Sequence, residues 1–238
     1  MTEESLTKTD KITVPKNIHT LFLKRALDVI LSGAALIVLS PLLLIVVLLE
    51  YLIHGYPAVY KTTRPGKDGK LFQLYKFRSM TNEHGEDGLL LPEDKRLTKF
   101  GLILRKLSVD ELPELYSILK GDMSIIGPRP LLVEYLELYN ERHKQRHLVR
   151  PGLACVRIYP TDSKTWTWRE QFENDLYYIE NLSLRTDIKM LFAVIREMIS
   201  GAEYRANDTR VPFDGTNLDE VRSKSEVENV VRYDSVSK

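Results

Sequence analysis

The stretch "VILSGAALIVLSPLLLIVVLL", residues 29–49, decides the fold because it carries no charged side chain over 21 residues. About 20 consecutive apolar residues are enough for a helix to cross the hydrocarbon core of a bilayer. The stretch is longer than the apolar region of a secretory signal, and no small-residue cleavage site follows it. It therefore predicts a membrane helix, which we place at residues 21–53.

The middle of this helix contains Ser40 and Pro41, which leave its topology open. Proline removes a backbone donor and kinks or breaks a helix, and a neighbouring serine hydroxyl can satisfy the freed groups. Basic residues flank both ends, which fits poorly with translocation of one flank. They are Lys24, Arg25, Lys61, Arg64, Lys67 and Lys70. A re-entrant helix with both flanks in the cytoplasm and a kinked single span both fit these observations.

The composition describes a globular protein with attachments. Of the 238 residues, 43% are hydrophobic and 28% charged, and the net charge of +1 does not suggest nucleic acid as a partner. The one cysteine, Cys155, excludes an internal disulfide and permits a reducing compartment. We expect a disordered tail at residues 1–20, a cytoplasmic domain at residues 54–205 and a polar tail at residues 206–238.

Residues 58–80, "AVYKTTRPGKDGKLFQLYKFRSM", predict a β-hairpin, because two β-prone runs flank Pro-Gly and Asp-Gly turn signals. Alternation places Lys76 and Arg78 on the same face of the second strand. Two cations would therefore share one edge of a small sheet.

Two further segments have the pattern of amphipathic helices, "DKRLTKFGLILRKL" at residues 94–107 and "LRTDIKMLFAVIREMIS" at residues 184–200. In the first, the apolar residues follow one helical face and basic residues fill the remainder. This pattern suits a membrane surface, although a helix packed on a protein core produces it too. The predicted fold is α+β and mainly helical, with a re-entrant membrane helix, a small hairpin and interfacial helices around a cytoplasmic catalytic domain.

The stretch "SVDELPEL", residues 108–115, contains two adjacent acids before a proline. Ser108 and Glu111 match a capping box, but that assignment puts Pro113 inside the helix, where its missing N–H loses a bond. A helix that starts at Pro113 fits better. Asp110 and Glu111 then lie just before the positive end of the helix, which stabilises a carboxylate and attracts phosphate.

An ionised Asp110 at this position can act as a nucleophile on phosphorus, provided that cations offset its repulsion from phosphate. The candidate cations are Arg105, Lys76, Arg78, Arg129 and Arg150. The sequence contains no Walker loop, dinucleotide fingerprint or clustered metal-ligand spacing. Nucleophilic chemistry and an ordinary helix start are the two interpretations of this stretch.

Several ordered motifs over residues 21–200 resemble those of the bacterial sugar transferases, the small monotopic polyprenyl-phosphate phosphoglycosyl transferases. They are "LFLKRALDVI", "LSPLLL", "YKFRSM", "LRKLSVDELPELYSILKGDMSIIGPRPLLVEY" and "RHLVRPG". The resemblance implies a re-entrant helix bent at Ser40 and Pro41, and a catalytic dyad of Asp110 and Glu111. In such enzymes the aspartate attacks the β-phosphorus of a UDP-sugar and releases UMP, and a lipid phosphate then takes the sugar phosphate.

The resemblance also implies a role for each matching residue. Asp110 would be the covalent nucleophile and a contact for Mg²⁺, and Glu111 would assist with the metal, a proton or positioning. Arg129 lies in "GPRP", where the flanking prolines stiffen the backbone and the planar guanidinium suits phosphate oxygens. Further substrate phosphate contacts would come from Arg105, Lys76, Arg78 and Arg150.

The partners implied are a UDP-sugar and polyprenyl (undecaprenyl) phosphate, at the cytoplasmic face of the bacterial inner membrane. A homodimer or downstream glycosyltransferases are further expected partners, and nucleic acid is not. The rival interpretation is a non-catalytic membrane scaffold of the same fold that binds a glycosyltransferase.

One segment departs from the family pattern. After "RPG" many family members continue with a "TGWAQVNGRN"-like stretch that includes an arginine thought to face the nucleotide-sugar. This chain reads "RPGLACVRIYPTDSKTW", with Asp162 at the arginine's ungapped position and Arg157 as the nearest cation. A shifted loop that uses Arg157, or lost or altered activity, would explain the departure.

Overall fold

The computed structural model describes residues 11–160, 166–200 and 210–220. Its longest element is α1, Lys24–Ile53, which continues directly from a π-helical turn at His19–Leu23. The apolar stretch therefore forms one helix of 30 residues, about 45 Å long at 1.5 Å per residue.

The other helices are short, apart from two near the C-terminus. In the described part of the chain they are α2 (Glu93–Arg96), α3 (Lys99–Lys106), α4 (Glu114–Lys120), α5 (Glu141–Lys144), α6 (Trp168–Glu180) and α7 (Leu184–Ser200). The strands there are β1 (Val59–Pro65), β2 (Leu71–Phe77), β3 (Ser124–Ile126) and β4 (Gly152–Ala154). This content confirms the predicted α+β class with its long apolar helix and small hairpin.

The helix α1 continues through Pro41. Proline has no N–H to donate to the carbonyl of Ile37, four residues earlier. The hydroxyl of Ser40 donates to that carbonyl instead, at 2.7 Å. The serine therefore satisfies the group that the proline frees, as its place beside the proline predicts. A bend that returns the chain to one side of a membrane stays a prediction.

One face of α1 packs against the rest of the protein along its length. Its buried residues Asp28, Ser32, Val46 and Glu50 follow each other at spacings of 4, 14 and 4, which keeps them on one helical stripe. Residues between them are partly buried against α4 and the hairpin. They are Ala35, Leu36, Leu39, Leu43 and Val47.

Polar contacts tie both ends of α1 to the same body. Near its start, Oδ1 of Asp28 accepts hydrogen bonds from Oγ of Ser124 at 3.0 Å and from the backbone N–H of Ile125 at 2.9 Å. After its end, the carbonyl of His54 accepts a hydrogen bond from Nη1 of Arg78 at 3.0 Å. One folded body therefore contacts the helix at its beginning and at its end.

The opposite face of α1 is apolar and exposed. Ile37, Val38 and Leu52 expose 76%, 74% and 82% of their surface. Within the described residues, one helical segment, His19–Ile53, is long and apolar enough to cross a membrane. An apolar surface of this extent marks a site of contact with lipid or protein.

The two predicted amphipathic segments form helices with partly exposed apolar faces. Residues 94–107 form α2 and α3 instead of one helix, because Thr98 is extended and its hydroxyl accepts from the N–H of Gly101 at 2.9 Å. On α7, which has the predicted bounds, Met190 is buried whereas Phe192 is 67% exposed. On α3, Leu104 is buried whereas Ile103 is 54% exposed. Both α3 and α7 therefore pack on the core with one side and show apolar side chains outward with another.

Two small sheets organise the region between the helices. The antiparallel β1–β2 hairpin forms as predicted, with Tyr60 opposite Lys76. The parallel pair β3–β4 has no counterpart in the sequence prediction. Gly127, directly after β3, and Gly152, the first residue of β4, come so close that a Cβ on either would meet the other's backbone. The "GPRP" segment leaves β3 at this point.

Both described ends of the chain pack on the core. Ile12 is 5% exposed and lies in a cluster with Leu176 and Ile179 of α6, so residues 11–20 differ from the predicted disordered tail. Phe213 is 4% exposed and packs against Trp168, so residues 210–220 of the predicted polar tail are held as well. The remaining tail residues lie outside the described ranges.

Candidate active site

The acids Asp110 and Glu111 lie in a single 3₁₀ turn, Val109–Glu111, directly before α4. Pro113 is the N-cap of α4, within one residue of the predicted helix start. Ser108 adopts the left-handed conformation, with φ 56° and ψ 20°, whereas an N-cap residue of a capping box is extended. The capping-box assignment of this stretch is therefore wrong.

Both carboxylates are buried, Asp110 at 6% and Glu111 at 7% exposure. Oε1 of Glu111 accepts hydrogen bonds from Nζ of Lys76 at 2.8 Å and from Nη2 of Arg129 at 2.9 Å. Two charge-assisted hydrogen bonds on one oxygen compensate for taking this charge out of water. The fold thus joins Glu111 to two of the predicted cations, which come from β2 and from the "GPRP" segment.

Lys76 and Arg129 are not enclosed by these contacts. Their side chains remain 23% and 37% exposed. A ligand that reaches this surface meets an ammonium group and a guanidinium group beside the buried Asp110–Glu111 turn. Both groups bind phosphate oxygens, the guanidinium with its planar fork.

Glu114 belongs to the same cluster, although the sequence reasoning did not select it. Its Oε1 lies 3.1 Å from Nζ of Lys76, so the ammonium group bridges Glu111 and Glu114. Burial raises the pKa of Glu114 to about 7, against the lowering effect of Lys76 and with a further raising effect from Glu111. A signal was available, because Glu114 follows Asp110 by four residues and Glu111 by three, the spacings that share a helix face.

Arg64 is a second residue that the sequence reasoning left outside the site. Burial lowers the pKa of Arg64; Glu134 and Glu114 oppose that effect and Arg129 adds to it. These electrostatic effects mark Arg64 as a neighbour of the cluster. Its Nη1 donates to Oγ1 of Thr62 at 3.1 Å. The hairpin register carries the available signal. Arg64 is an even number of strand positions from Tyr60, which is opposite Lys76, so Arg64 and Lys76 lie on the same face of the hairpin.

The other predicted cations have contacts elsewhere. Nη1 of Arg78 donates to the carbonyl of His54 after α1. Nε of Arg150 donates to the carbonyl of Gly121 at 2.8 Å, at the C-terminal end of α4, whereas the dyad precedes the N-terminal end. Nε of Arg105 donates to Oγ of Ser79 at 2.9 Å. The phosphate contacts expected of these three arginines stay predictions.

Arg157, the expected replacement for the family's nucleotide-facing arginine, is held by two side chains. Its Nη2 donates to Oε2 of Glu170 at 3.0 Å, and its guanidinium lies 4.4 Å from the ring centroid of Trp166. This ion pair and cation–π contact fix the guanidinium against the start of α6. Asp162 lies outside the described residues.

The two carboxylates of the dyad are the side chains that would hold Mg²⁺. Among the described residues, no three His, Cys, Asp or Glu side chains are grouped so as to hold a metal ion. Mg²⁺ is commonly held by one or two carboxylates together with water and substrate phosphates. Asp110 and Glu111 supply two hard oxygen donors beside a phosphate-binding pair of cations, so the donor set fits Mg²⁺ that is shared with a diphosphate substrate.

The chain is similar to known proteins over most of its length. The family described as bacterial sugar transferase matches residues 19–201. The uncharacterized sugar transferase EpsL of Bacillus subtilis (strain 168) is 42% identical over 180 residues, which cover 75% of this chain and 88% of EpsL. The exopolysaccharide production protein PSS of Rhizobium leguminosarum bv. phaseoli is 41% identical over 197 residues, which cover 76% and 98%.

A longer relative has a name that specifies a reaction. The UDP-N-acetylgalactosamine-undecaprenyl-phosphate N-acetylgalactosaminephosphotransferase of Aeromonas hydrophila is 36% identical over 189 residues, which cover 76% of this chain and 44% of that protein. The chain thus spans less than half of this relative and most of the two shorter ones. The family match extends over more than half of the chain and includes the dyad, Lys76 and Arg129. The chain belongs to the bacterial sugar transferase family.

Proposed function

We propose that the protein is a phosphoglycosyl transferase that moves a sugar 1-phosphate from a UDP-sugar to polyprenyl phosphate and so starts assembly of a polysaccharide or glycan. The relatives' names support this proposal, since one is a phosphotransferase with an undecaprenyl-phosphate acceptor and another an exopolysaccharide production protein. The observation that carries it is the buried Asp110–Glu111 turn with Lys76 and Arg129 bound to Glu111.

In the proposed reaction the carboxylate of Asp110 attacks the β-phosphorus of the UDP-sugar. A bond forms between the carboxylate oxygen and phosphorus, and the bond from phosphorus to the bridging oxygen breaks, so UMP leaves with the electron pair. An oxygen of the lipid phosphate then attacks the same phosphorus, and the carboxylate of Asp110 is released. The covalent intermediate thus divides one difficult displacement into two easier ones, each carried out by a positioned nucleophile.

The surrounding residues act on charge and position. Lys76 and Arg129 hold Glu111 and face the approaching phosphates, which lowers the repulsion between these phosphates and Asp110. Mg²⁺, held by Asp110 and Glu111, would neutralise charge on the diphosphate when bound. Fixed cations that are already in place need little rearrangement as charge develops in the transition state.

We also propose that α1 is re-entrant and that the catalytic body lies on the cytoplasmic face of the inner membrane. The support comes from the contacts of Asp28 and His54, since the same body binds both ends of α1. A helix that crossed the bilayer would carry its two ends to opposite sides. The exposed apolar face around Ile37 and Val38 would then enter the lipid while the packed face stays on the protein.

The test of this function is a panel of UDP-sugars with Mg²⁺, with and without undecaprenyl phosphate. Without the lipid, the right donor should add a sugar phosphate mass to a peptide that contains Asp110, and kinetics with both substrates should be ping-pong. Asp110→Asn keeps the size of the side chain but removes its charge, so it should bind membrane and form no adduct. Glu111→Gln should impair turnover while donor binding survives.

Two outcomes would contradict the covalent mechanism. Intersecting initial-rate lines without a labelled peptide would mean that the lipid phosphate attacks the donor directly, with Asp110 serving to hold Mg²⁺. Activity of the Asp110→Asn enzyme would exclude Asp110 as the nucleophile.

The second candidate function is a non-catalytic scaffold that binds a glycosyltransferase. The observation that favours it is the altered segment after Gly152, where Arg157 is engaged by Glu170 and Trp166. No UMP release from any UDP-sugar in the panel would support the scaffold.

A further inference from the structure

A groove of about 560 Å³ opens between the C-terminal part of α1 and β1. It is lined by Val47 and Tyr51 of the helix, by the connecting residue Tyr56, and by Tyr60 and Lys61 of β1. The three tyrosines are 56%, 80% and 55% exposed in chain order. Tyrosines with an apolar ring and a polar tip are enriched where a membrane meets water.

One wall of the groove is continuous with the apolar face of α1. Leu48 and Leu52, exposed by 57% and 82%, lie on the same helical segment as Val47 and Tyr51. An apolar chain that leaves the groove along this segment therefore stays in contact with apolar side chains. The other wall is the first strand of the hairpin.

The hairpin connects this groove to the candidate active site. Tyr60 is directly opposite Lys76 in the antiparallel register, and residues in such pairs have Cα atoms about 4.5–5.5 Å apart. Lys76 is the ammonium group that bridges Glu111 and Glu114. The groove therefore begins at the membrane helix and ends within one strand of the dyad.

We propose that this groove binds the isoprenoid chain of the acceptor lipid next to its phosphate. This inference rests on the proposed function and adds the location of the acceptor. The groove has an apolar interior for the chain, and Lys76, directly opposite Tyr60 across the hairpin, supplies positive charge for the phosphate. Its volume falls in the range of small-ligand sites, so it holds the phosphate-proximal part of the chain while the rest continues along α1 into the bilayer.

The kinetic experiment uses Tyr60→Ala and, as a second variant at a more exposed wall position, Tyr56→Ala. With undecaprenyl phosphate in detergent micelles, each should raise KM for the lipid about tenfold, since aromatic surface that buries the chain is lost. Formation of the Asp110 adduct from the UDP-sugar alone should keep its wild-type rate. Phe192→Ala, which removes an exposed ring from α7, is the matched control and should leave KM for the lipid unchanged.

An unchanged KM for undecaprenyl phosphate in both tyrosine variants would overturn the proposal. The proposal would also be overturned if the variants slowed adduct formation by the same factor as turnover, because the groove would then bind the UDP-sugar donor. Failure of this proposal can be distinguished from failure of the proposed function. Absence of any adduct in the wild-type enzyme would refute the proposed function, and the binding test below would still apply.

The binding experiment does not depend on turnover. A photoreactive benzophenone side chain replaces Tyr56, or Phe192 as control, in protein reconstituted with phosphatidylglycerol and undecaprenyl phosphate. We expect light-dependent attachment of the isoprenoid lipid at position 56 in excess over position 192. Attachment of phosphatidylglycerol alone at position 56 would show a general lipid surface and overturn the proposal.

Discussion

The backbone carbonyl of Arg129 accepts a hydrogen bond from Nη2 of Arg146 at 2.8 Å. Arg146 is 3% exposed, and its Nη2 and Nε also donate to Oδ2 of Asp175 at 2.7 and 3.0 Å. Nη1 donates to the hydroxyl of Tyr139 at 3.2 Å. Since Arg129 in turn binds Glu111, two arginines in series connect α6 to the dyad. A planar guanidinium makes these contacts in fixed directions, so it holds the "GPRP" backbone in one position.

We therefore expect Arg146→Lys to lower kcat about tenfold or more, because one ammonium group cannot reproduce the fork that reaches both Asp175 and the Arg129 carbonyl. The measurement is steady-state UMP release. A double-mutant cycle with Arg129→Ala separates positioning from stability. In that background Arg146→Lys should cost little further activity, and a full additive loss would show that Arg146 does not act through Arg129.

The two arginines Arg129 and Arg150 should respond differently to the same change. Arg129→Lys should lower kcat/KM for the UDP-sugar by at least about tenfold, because a point charge replaces the fork that meets Glu111 and, in the proposed reaction, the donor phosphate. Arg150→Lys serves as the control, because Nε of Arg150 contacts Gly121 at the far end of α4. Near wild-type turnover in Arg129→Lys would mean that its guanidinium is peripheral to the reaction.

The topology of α1 is testable with single cysteines at Ile18 and Tyr56, which are 73% and 80% exposed on either side of the helix. The native Cys155 is buried, and burial with the nearby Asp175 raises its thiol pKa to about 12, so it should stay unlabelled. A membrane-impermeant maleimide should label both new cysteines from the cytoplasmic side only. Labelling from opposite sides would establish a spanning helix.

Pro41→Leu is the matching structural change. It restores a backbone donor for the carbonyl of Ile37, which Ser40 now satisfies, and removes the steric cause of a bend. We expect the Tyr56→Cys site to become partly accessible from the other side in this variant. An unchanged labelling pattern would mean that packing of α1 on the body, rather than the proline, sets its topology.

Glu114 predicts a specific dependence of stability on pH. Its pKa is about 7 in the folded protein, raised mainly by burial, and its ordinary value is 4.5. Between these values the folded state keeps a proton that the unfolded state has lost, so this group lowers stability as pH rises from 4.5 through 7. Glu114→Gln removes this effect. The free energy of unfolding of the variant, measured relative to wild type, should therefore rise by on the order of 2 kcal/mol as the pH is raised from acidic to alkaline.

The measurement for Glu114 is thermal unfolding in detergent at both ends of this pH range. Glu141→Gln is the control, because the side chain of Glu141 is 72% exposed. A difference between Glu114→Gln and wild type that does not change with pH would contradict the raised pKa.

Local patterns of the sequence determined several elements of this protein. Residues 29–49 lack charge over 21 positions and form a helix. The side of this helix that does not pack on the protein is therefore apolar. The Pro-Gly and Asp-Gly turn signals were enough to predict the hairpin, and Pro113 was enough to predict the start of α4 to within one residue. The adjacent acids Asp110 and Glu111 could be identified from the sequence without the structure. Each of these features depends on neighbours a few residues apart, which the sequence displays directly.

The assembly of the site depended on contacts between distant segments, which only the tertiary structure decided. The parallel pair β3–β4 brings together strands that are 28 positions apart in register, and it carries Arg129 to Glu111. The same packing directs Arg78 to His54 and Arg150 to Gly121, although all of these arginines have the same charge in the sequence. Burial, which selects Glu114 and raises its pKa, is a property of the folded surroundings. A sequence supplies candidate charges, and long-range packing decides which of them share a low-dielectric site.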